Sequence, residues 1–169
     1  MAVQALVSVE EYLKTVYRPD RDYVDGLVEE RNVGQWDHAR LQTLLVAWFY
    51  PKETELNIRV VTEVRVQVSA KHYLVPDVCI TDGEPDEQIL THPPLLCIEI
   101  LSPEDRMERV LVRVDKFLAF GVPEVWVISP SDLISWRFTK QHKFENVTGD
   151  VLQTLDGRLE LDLRKATQH

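Results

Sequence analysis

The sequence predicts an α/β or α+β domain with a mixed β-sheet flanked by helices. Three observations carry this. Strand-like runs cluster mid-chain, as in "NIRVVTEVRVQVS" (57–69) and "LLCIEIL" (95–101). Helical periodicity marks 35–49 and 102–120. The order helix, hairpin, helix, strands, helix, strands interleaves the two types, as a sheet covered by helices requires.

Each element has its own signal. Ser8 followed by Glu11 is a capping box and opens a helix to about Val16. "RDYVDGLVEERN" reads as a hairpin turning at Asp25-Gly26. From Gln35 to Phe49, Leu41, Leu44, Leu45 and Trp48 form an apolar stripe, stopped at Pro51. In 57–69, Val60, Thr62, Val64, Val66 and Val68 share one face of an alternating strand. Tyr73 to Thr81 forms the next strand, and a polar loop with three prolines leads to "LLCIEIL", read as buried except at Glu99. Ser102 to Asp105 signals a helix start, and Gly121 and Pro123 end that helix near Phe120. "EVWVIS" and "LISWRFT" are further strands, and the tail adds short strands such as Arg158 to Leu163.

A length of 169 residues suits one domain spanning 1–169, and 44% hydrophobic residues give it a core of ordinary size. No run approaches the roughly 18 apolar residues of a membrane span. The N-terminus has neither a basic n-region nor a cleavage site, and two cysteines make no disulfide framework, so a cytoplasmic location without membrane contact is expected. A net charge of −9, from 28 acidic and 19 basic residues, argues against tight non-specific nucleic-acid binding. It leaves room for a nuclease whose acids hold divalent ions.

The informative residues are those that break local rules. Pro76 and Asp77 sit together in the apolar run "YLVPDVCITDG", and Glu99 sits inside "LLCIEIL". Proline cannot donate to a sheet ladder, and an unpaired buried carboxylate is costly. If the two strands are antiparallel neighbours with Asp77 opposite Glu99, the index sum is 176, so Cys79 faces Cys97 and all four side chains share a face. Opposed carboxylates repel unless a cation lies between them, and hard oxygen ligands suit Mg²⁺ or Mn²⁺. The competing reading places the acids apart, in ordinary salt bridges. A zinc site from Cys79, Cys97 and a histidine matches no standard spacing. Glu63 is a third candidate. A three-residue loop pairing Val68 with His72 (index sum 140) sets it opposite Asp77; a four-residue loop (sum 141) turns it away.

The ordered set "VPDVCI", "PPLLCIEILSPEDR", "RVDKF" and "GVPEVWVISP", with "YVDGLVEERNVGQWDHARLQ" upstream, resembles the Uma-type family of restriction-endonuclease-like proteins, in the PD-(D/E)XK nuclease superfamily. The resemblance runs from about Val9 to Phe138. It implies a restriction endonuclease-like mixed β-sheet flanked by helices, with Asp77 and Glu99 as metal-binding, catalytic acids. The superfamily pattern places a lysine two residues after the second acid, where this chain has Leu101. Lys116 on the following helix is the candidate replacement, and Arg109, Arg113 and Lys116 share a helix face at spacings of four and three. By resemblance, an N-terminal acid such as Glu30 supports the metal; Glu29 and Glu30 point to opposite faces of an extended strand. His38 is a candidate contact to the site or a phosphate, and Arg109 and Arg113 are candidate phosphate contacts.

The function these residues imply is a Mg²⁺- or Mn²⁺-dependent endonuclease hydrolysing DNA, with Glu63 supporting the metal. Two alternatives stand beside it. One is a catalytically degenerate nucleic-acid-binding or regulatory module on the same fold. The other is a protein assembling through strands, with "EVWVIS" and "LISWRF" as an aromatic homodimer surface.

Overall fold

A computed structural model describes residues 5–31, 35–141 and 144–168. Residues 1–4, 32–34, 142, 143 and 169 belong to the expected domain, and 32–34 to the hairpin end and upstream motif; they lie outside the described residues.

Helix α1 (Val9–Lys14) starts as its cap predicts: the Glu11 N–H donates to Ser8 Oγ at 3.1 Å. It ends two residues before the expected Val16. Strands β1 (Asp22–Val24) and β2 (Leu27–Glu29) form the expected hairpin, with positive φ at Asp25 (50°) and Gly26 (92°) as a two-residue turn of this hand requires. Helix α2 (Trp36–Phe49) buries Leu41, Leu45 and Phe49, while Leu44 and Trp48 flank the stripe half-buried. Pro51 redirects the chain rather than stopping it. It sits in a 3₁₀ turn (Tyr50–Lys52) that continues into α3 (Glu53–Leu56).

The middle of the chain departs from one long hairpin. The run at 57–69 divides into β3 (Ile58–Thr62) and β4 (Val66–Ser69), and its partner into β5 (His72–Leu74) and β6 (Val78–Asp82). The index sum stays at 140 on both sides of the break, as Val60 opposite Ile80 and Val66 opposite Leu74 show, with a bulge only near the tip. The break has two chemical causes facing each other across the ribbon. Glu63 has φ of 54°, which strand geometry does not allow, and Pro76 has no N–H to offer. The ribbon therefore leaves one sheet for another. β4 and β5 join a four-stranded sheet in the order β2-β1-β5-β4, and β3 and β6 join the larger one. The expected common face of Val60, Thr62, Val64, Val66 and Val68 is lost at this point. Val60 packs in one core cluster and Val66 in the other.

The larger sheet runs β10-β9-β8-β7-β6-β3, with β7 (Leu96–Ile100), β8 (Glu124–Ile128), β9 (Ser135–Thr139) and β10 (Glu145–Asn146). Among the described strands of this sheet, β7 and β8 alone pair in parallel, and α4 (Met107–Phe120) connects them. This helix starts later than expected. Ser102–Asp105 forms its own turn, with the Ser102 N–H donating to Asp105 Oδ2 at 2.6 Å, and Arg106 is the N-cap. Gly121 closes α4 at φ 120°, where an added Cβ would meet Pro93 at 3.0 Å. The tail adds β11 (Val151–Gln153), β12 (Glu160–Asp162) and α5 (Leu163–Thr167). Trp48 Nε1 donates to the Glu160 carbonyl at 2.7 Å and ties α2 to β12.

Both faces of the large sheet are covered. Ile80, Ile98, Trp126 and Ile128 pack against Leu41, Leu45 and Phe49 of α2. Cys79, Cys97, Val125 and Val127 pack against Val110, Val114 and Phe117 of α4. Side chains alternate along strands, so Asp77 and Glu99 belong to the α4 face. The "EVWVIS" run is interior, with all five β8 residues buried between β7 and β9, whereas in "LISWRF" Ile134 is exposed and Trp136 half-buried. Among the described residues, no helix is long and apolar enough to cross a membrane.

Glu63 gives a direct check on the break. In urea unfolding, Glu63→Gly should leave stability unchanged or raise it by up to about 1 kcal/mol, because glycine adopts positive φ freely. Glu63→Val should lower it by about 1 kcal/mol or more.

Candidate active site

Strands β6 and β7 pair antiparallel with Cys79 opposite Cys97 and Val78 opposite Ile98, which is the index sum of 176. Asp77 sits one residue before β6, beside the β7 end that carries Glu99. The Ile100 N–H donates to Asp77 Oδ2 at 2.7 Å, so β7's own backbone anchors this carboxylate. Both acids are buried, with side-chain exposures of 5% for Asp77 and 10% for Glu99. They face a cavity of about 400 Å³.

Each acid has a guanidinium. Arg31, following β2, pairs with Asp77 Oδ1, and its Nη1 lies 3.7 Å from Glu63. Arg113, on α4, forks onto Glu99, donating from Nη2 to Oε1 at 3.0 Å and from Nε to Oε2 at 3.2 Å. The same Nη2 donates to the Val75 carbonyl at 2.9 Å, and Nη1 pairs with Asp22 of β1. The Val75 N–H donates to Asp22 Oδ1 at 2.9 Å. Val75 has left the ladder at the ribbon break, and side chains of Asp22 and Arg113 take both of its backbone groups. A buried backbone group without a partner would be costly, so these bonds fix the chain two residues before Asp77.

His38 and Gln42, one turn apart on α2, complete the Asp77 shell. His38 Nε2 lies 3.3 Å from Asp77 Oδ2, and Gln42 Nε2 donates to the Asp77 carbonyl at 2.8 Å. Burial disfavours the His38 imidazolium, but the Asp77 hydrogen bond and charge outweigh it, so its pKa lies above the ordinary value. Burial, with the Asp77 charge next, pushes the Glu99 carboxyl well above its usual range, while Arg31 pulls it down. Burial lowers the Arg113 guanidinium to about 10.

The other candidate residues fall into place around this centre. Lys116 lines the cavity wall, and Arg113 is the α4 residue that hydrogen-bonds Glu99. Arg113 was expected among the phosphate contacts. Instead it is buried and bound to protein groups, because its position on α4 faces β7. Arg109 lies at the mouth, 3.8 Å from Glu29, and Glu30 pairs with Arg21 at 2.9 Å. Glu63 has the register predicted by the sum of 140, but its positive φ takes it out of the strand. It is 45% exposed and is not among the cavity-lining residues. Leu101 lines the cavity where the superfamily lysine would stand. Cys79 and Cys97 are free and buried, and burial raises the Cys97 thiol pKa, so they behave as inert core residues.

Sequence reasoning missed Asp22, Arg31 and Gln42. Asp22 was legible only as the first residue of a hairpin, and Arg31 as one charge in a charged stretch. Among the described residues, no three His, Cys, Asp or Glu side chains gather as a metal cluster. Asp77 and Glu99 still fit Mg²⁺, which is commonly held by one or two carboxylates together with water and phosphate oxygens.

Two measurements probe this electrostatic arrangement. A histidine whose pKa is raised on folding contributes stability that is complete below its unfolded value of about 6.5 and is lost as pH rises through the folded value. The stability difference between wild type and His38→Gln, from urea titrations at a series of pH values, should therefore be largest at acidic pH and shrink above neutrality. Arg113→Met should cost about 3–5 kcal/mol in the same assay, because it leaves Asp22 and Glu99 buried without their counter-ion.

The comparisons bear on the fold and the family. No curated protein matches the chain. A solved structure described as a "putative nuclease belonging to DUF820 from Anabaena variabilis" shares the fold, with a TM-score of 0.80 and 21% identity over 95% of this chain and 97% of that one. The family model described as "Uma2: Putative restriction endonuclease" matches residues 9–164, and the chain belongs to that family.

Proposed function

We propose that residues 1–169 act as a single restriction endonuclease-like domain that hydrolyses phosphodiester bonds of DNA with the help of Mg²⁺ or Mn²⁺. The observation that carries this is the pair of buried carboxylates, Asp77 one residue before β6 and Glu99 on the neighbouring β7, both lining one cavity. Family membership supports nuclease chemistry, and acids on paired strands have the rigidity that catalysis needs.

Asp77 and Glu99 would hold the ion. Bound there, it would supply Lewis acidity toward a phosphoryl oxygen and a place for the attacking water. The Ile100 N–H and His38 hold Asp77 in position. Arg113 holds Glu99 and brings a positive charge close to where negative charge develops on the phosphate. A guanidinium stays protonated, so Arg113 serves as an electrostatic group and not as a base. Lys116 and Arg109 line the cavity wall and would meet phosphate oxygens.

Leu101 and the occupied acid oxygens favour a second reading, a nucleic-acid-binding module on the same fold. Cleavage of plasmid and single-stranded DNA with Mg²⁺ or Mn²⁺ separates the two. Wild type should cut only with the metal, and Asp77→Ala and Glu99→Ala should each lose about 100-fold or more. A folded, metal-binding wild type that does not cut would favour the binding module.

A further inference from the structure

We infer that Asp22 is a positioning residue for the acid pair: by holding the Arg113 guanidinium, it leaves Glu99 able to engage a divalent cation. This rests on the metal-dependent reading above.

The argument starts from how Arg113 is shared. Its Nε and Nη2 fork onto Glu99, and its Nη1 pairs with Asp22. All three side chains are largely buried, at 17% exposure for Arg113, 10% for Glu99 and 7% for Asp22. Glu99 and a guanidinium satisfied by it alone would form a closed pair. A metal drawing on Glu99 would then leave a buried, unpaired guanidinium, and such a group is strongly destabilising. It would also set a full positive charge against the incoming ion. Asp22 removes both obstacles, because it remains a counter-ion to Arg113 when Glu99 turns to the metal.

The placement of Asp22 suits this role. It comes from β1 of the smaller sheet, whereas Glu99 comes from the larger one. Its Oδ1 is held by the Val75 N–H at 2.9 Å, which leaves Oδ2 for Arg113. The carboxylate is therefore fixed from behind by backbone and does not itself have to move.

The test is a calorimetric titration of the full chain with Mn²⁺ alone, with thermal melts confirming that each variant is folded. Asp22→Asn keeps an oxygen for the Val75 N–H and removes the negative charge that pairs with Arg113. It should weaken Mn²⁺ binding about tenfold or more. In an Arg113→Met background, the same substitution should change binding by less than about threefold, because the group Asp22 acts through is gone. If Arg113→Met does not fold, Arg113→Lys serves as the background, since an ammonium lacks the fork that spans both carboxylates. Equal Mn²⁺ affinity of wild type and folded Asp22→Asn would overturn the proposal. So would an equal loss in both backgrounds, which would mean that Asp22 acts by its own charge. A wild type that binds no Mn²⁺ would overturn the metal reading itself, and this would be evident before any substitution.

Discussion

A chain that leaves a β-ladder inside a protein must find new partners for its backbone, and this requirement organises the structure. Val75 stands where one ribbon passes from the smaller sheet to the larger. Asp22 takes its N–H and Arg113 its C=O. The two side chains come from different layers, β1 and α4, so satisfying one residue joins both sheets and the covering helix. The same arginine then reaches Glu99, and the same turn delivers Asp77. The bend and the candidate site are one construction.

Much of this was legible in the sequence, for identifiable reasons. Two rule-breaking acids in apolar runs suggested the register of β6 against β7, because the sheet period of two leaves few pairings that place Asp77 and Glu99 together. Turn and cap chemistry located the first hairpin and α1. The division of the long hairpin was not legible. Its alternation continues without interruption through Glu63, and nothing in a period of two announces a positive φ at a charged residue. Pro76 was the available signal, but it marked disruption without saying that two sheets would result.

Which helix cation reaches the sheet was left open for a related reason. Helical spacing put Arg109, Arg113 and Lys116 on one face, but a face is broad and spacing does not say which member points at the sheet. The four-residue difference between the expected and observed start of the helix does not alter that face. What selects Arg113 is burial among Val110, Val114 and Phe117, and that follows from packing against β7 and β8. Asp22 and Arg31 are remote in sequence from the acids, by 53 residues to Val75 for Asp22 and 46 to Asp77 for Arg31. Only tertiary structure brings them in.

Cys79 and Cys97 lie in the same packed layer as α4's apolar residues, two positions along their strands from the two acids. Their small side chains act as spacers that set how far the helix axis stands above the sheet. A guanidinium has a fixed reach, so the thickness of that layer decides whether it meets Glu99. Bulkier residues at either cysteine would lift α4, at about 1–3 kcal/mol for overpacking, and carry Arg113 away from the carboxylate it holds. The two thiols thus shape the site by volume, with no chemistry of their own.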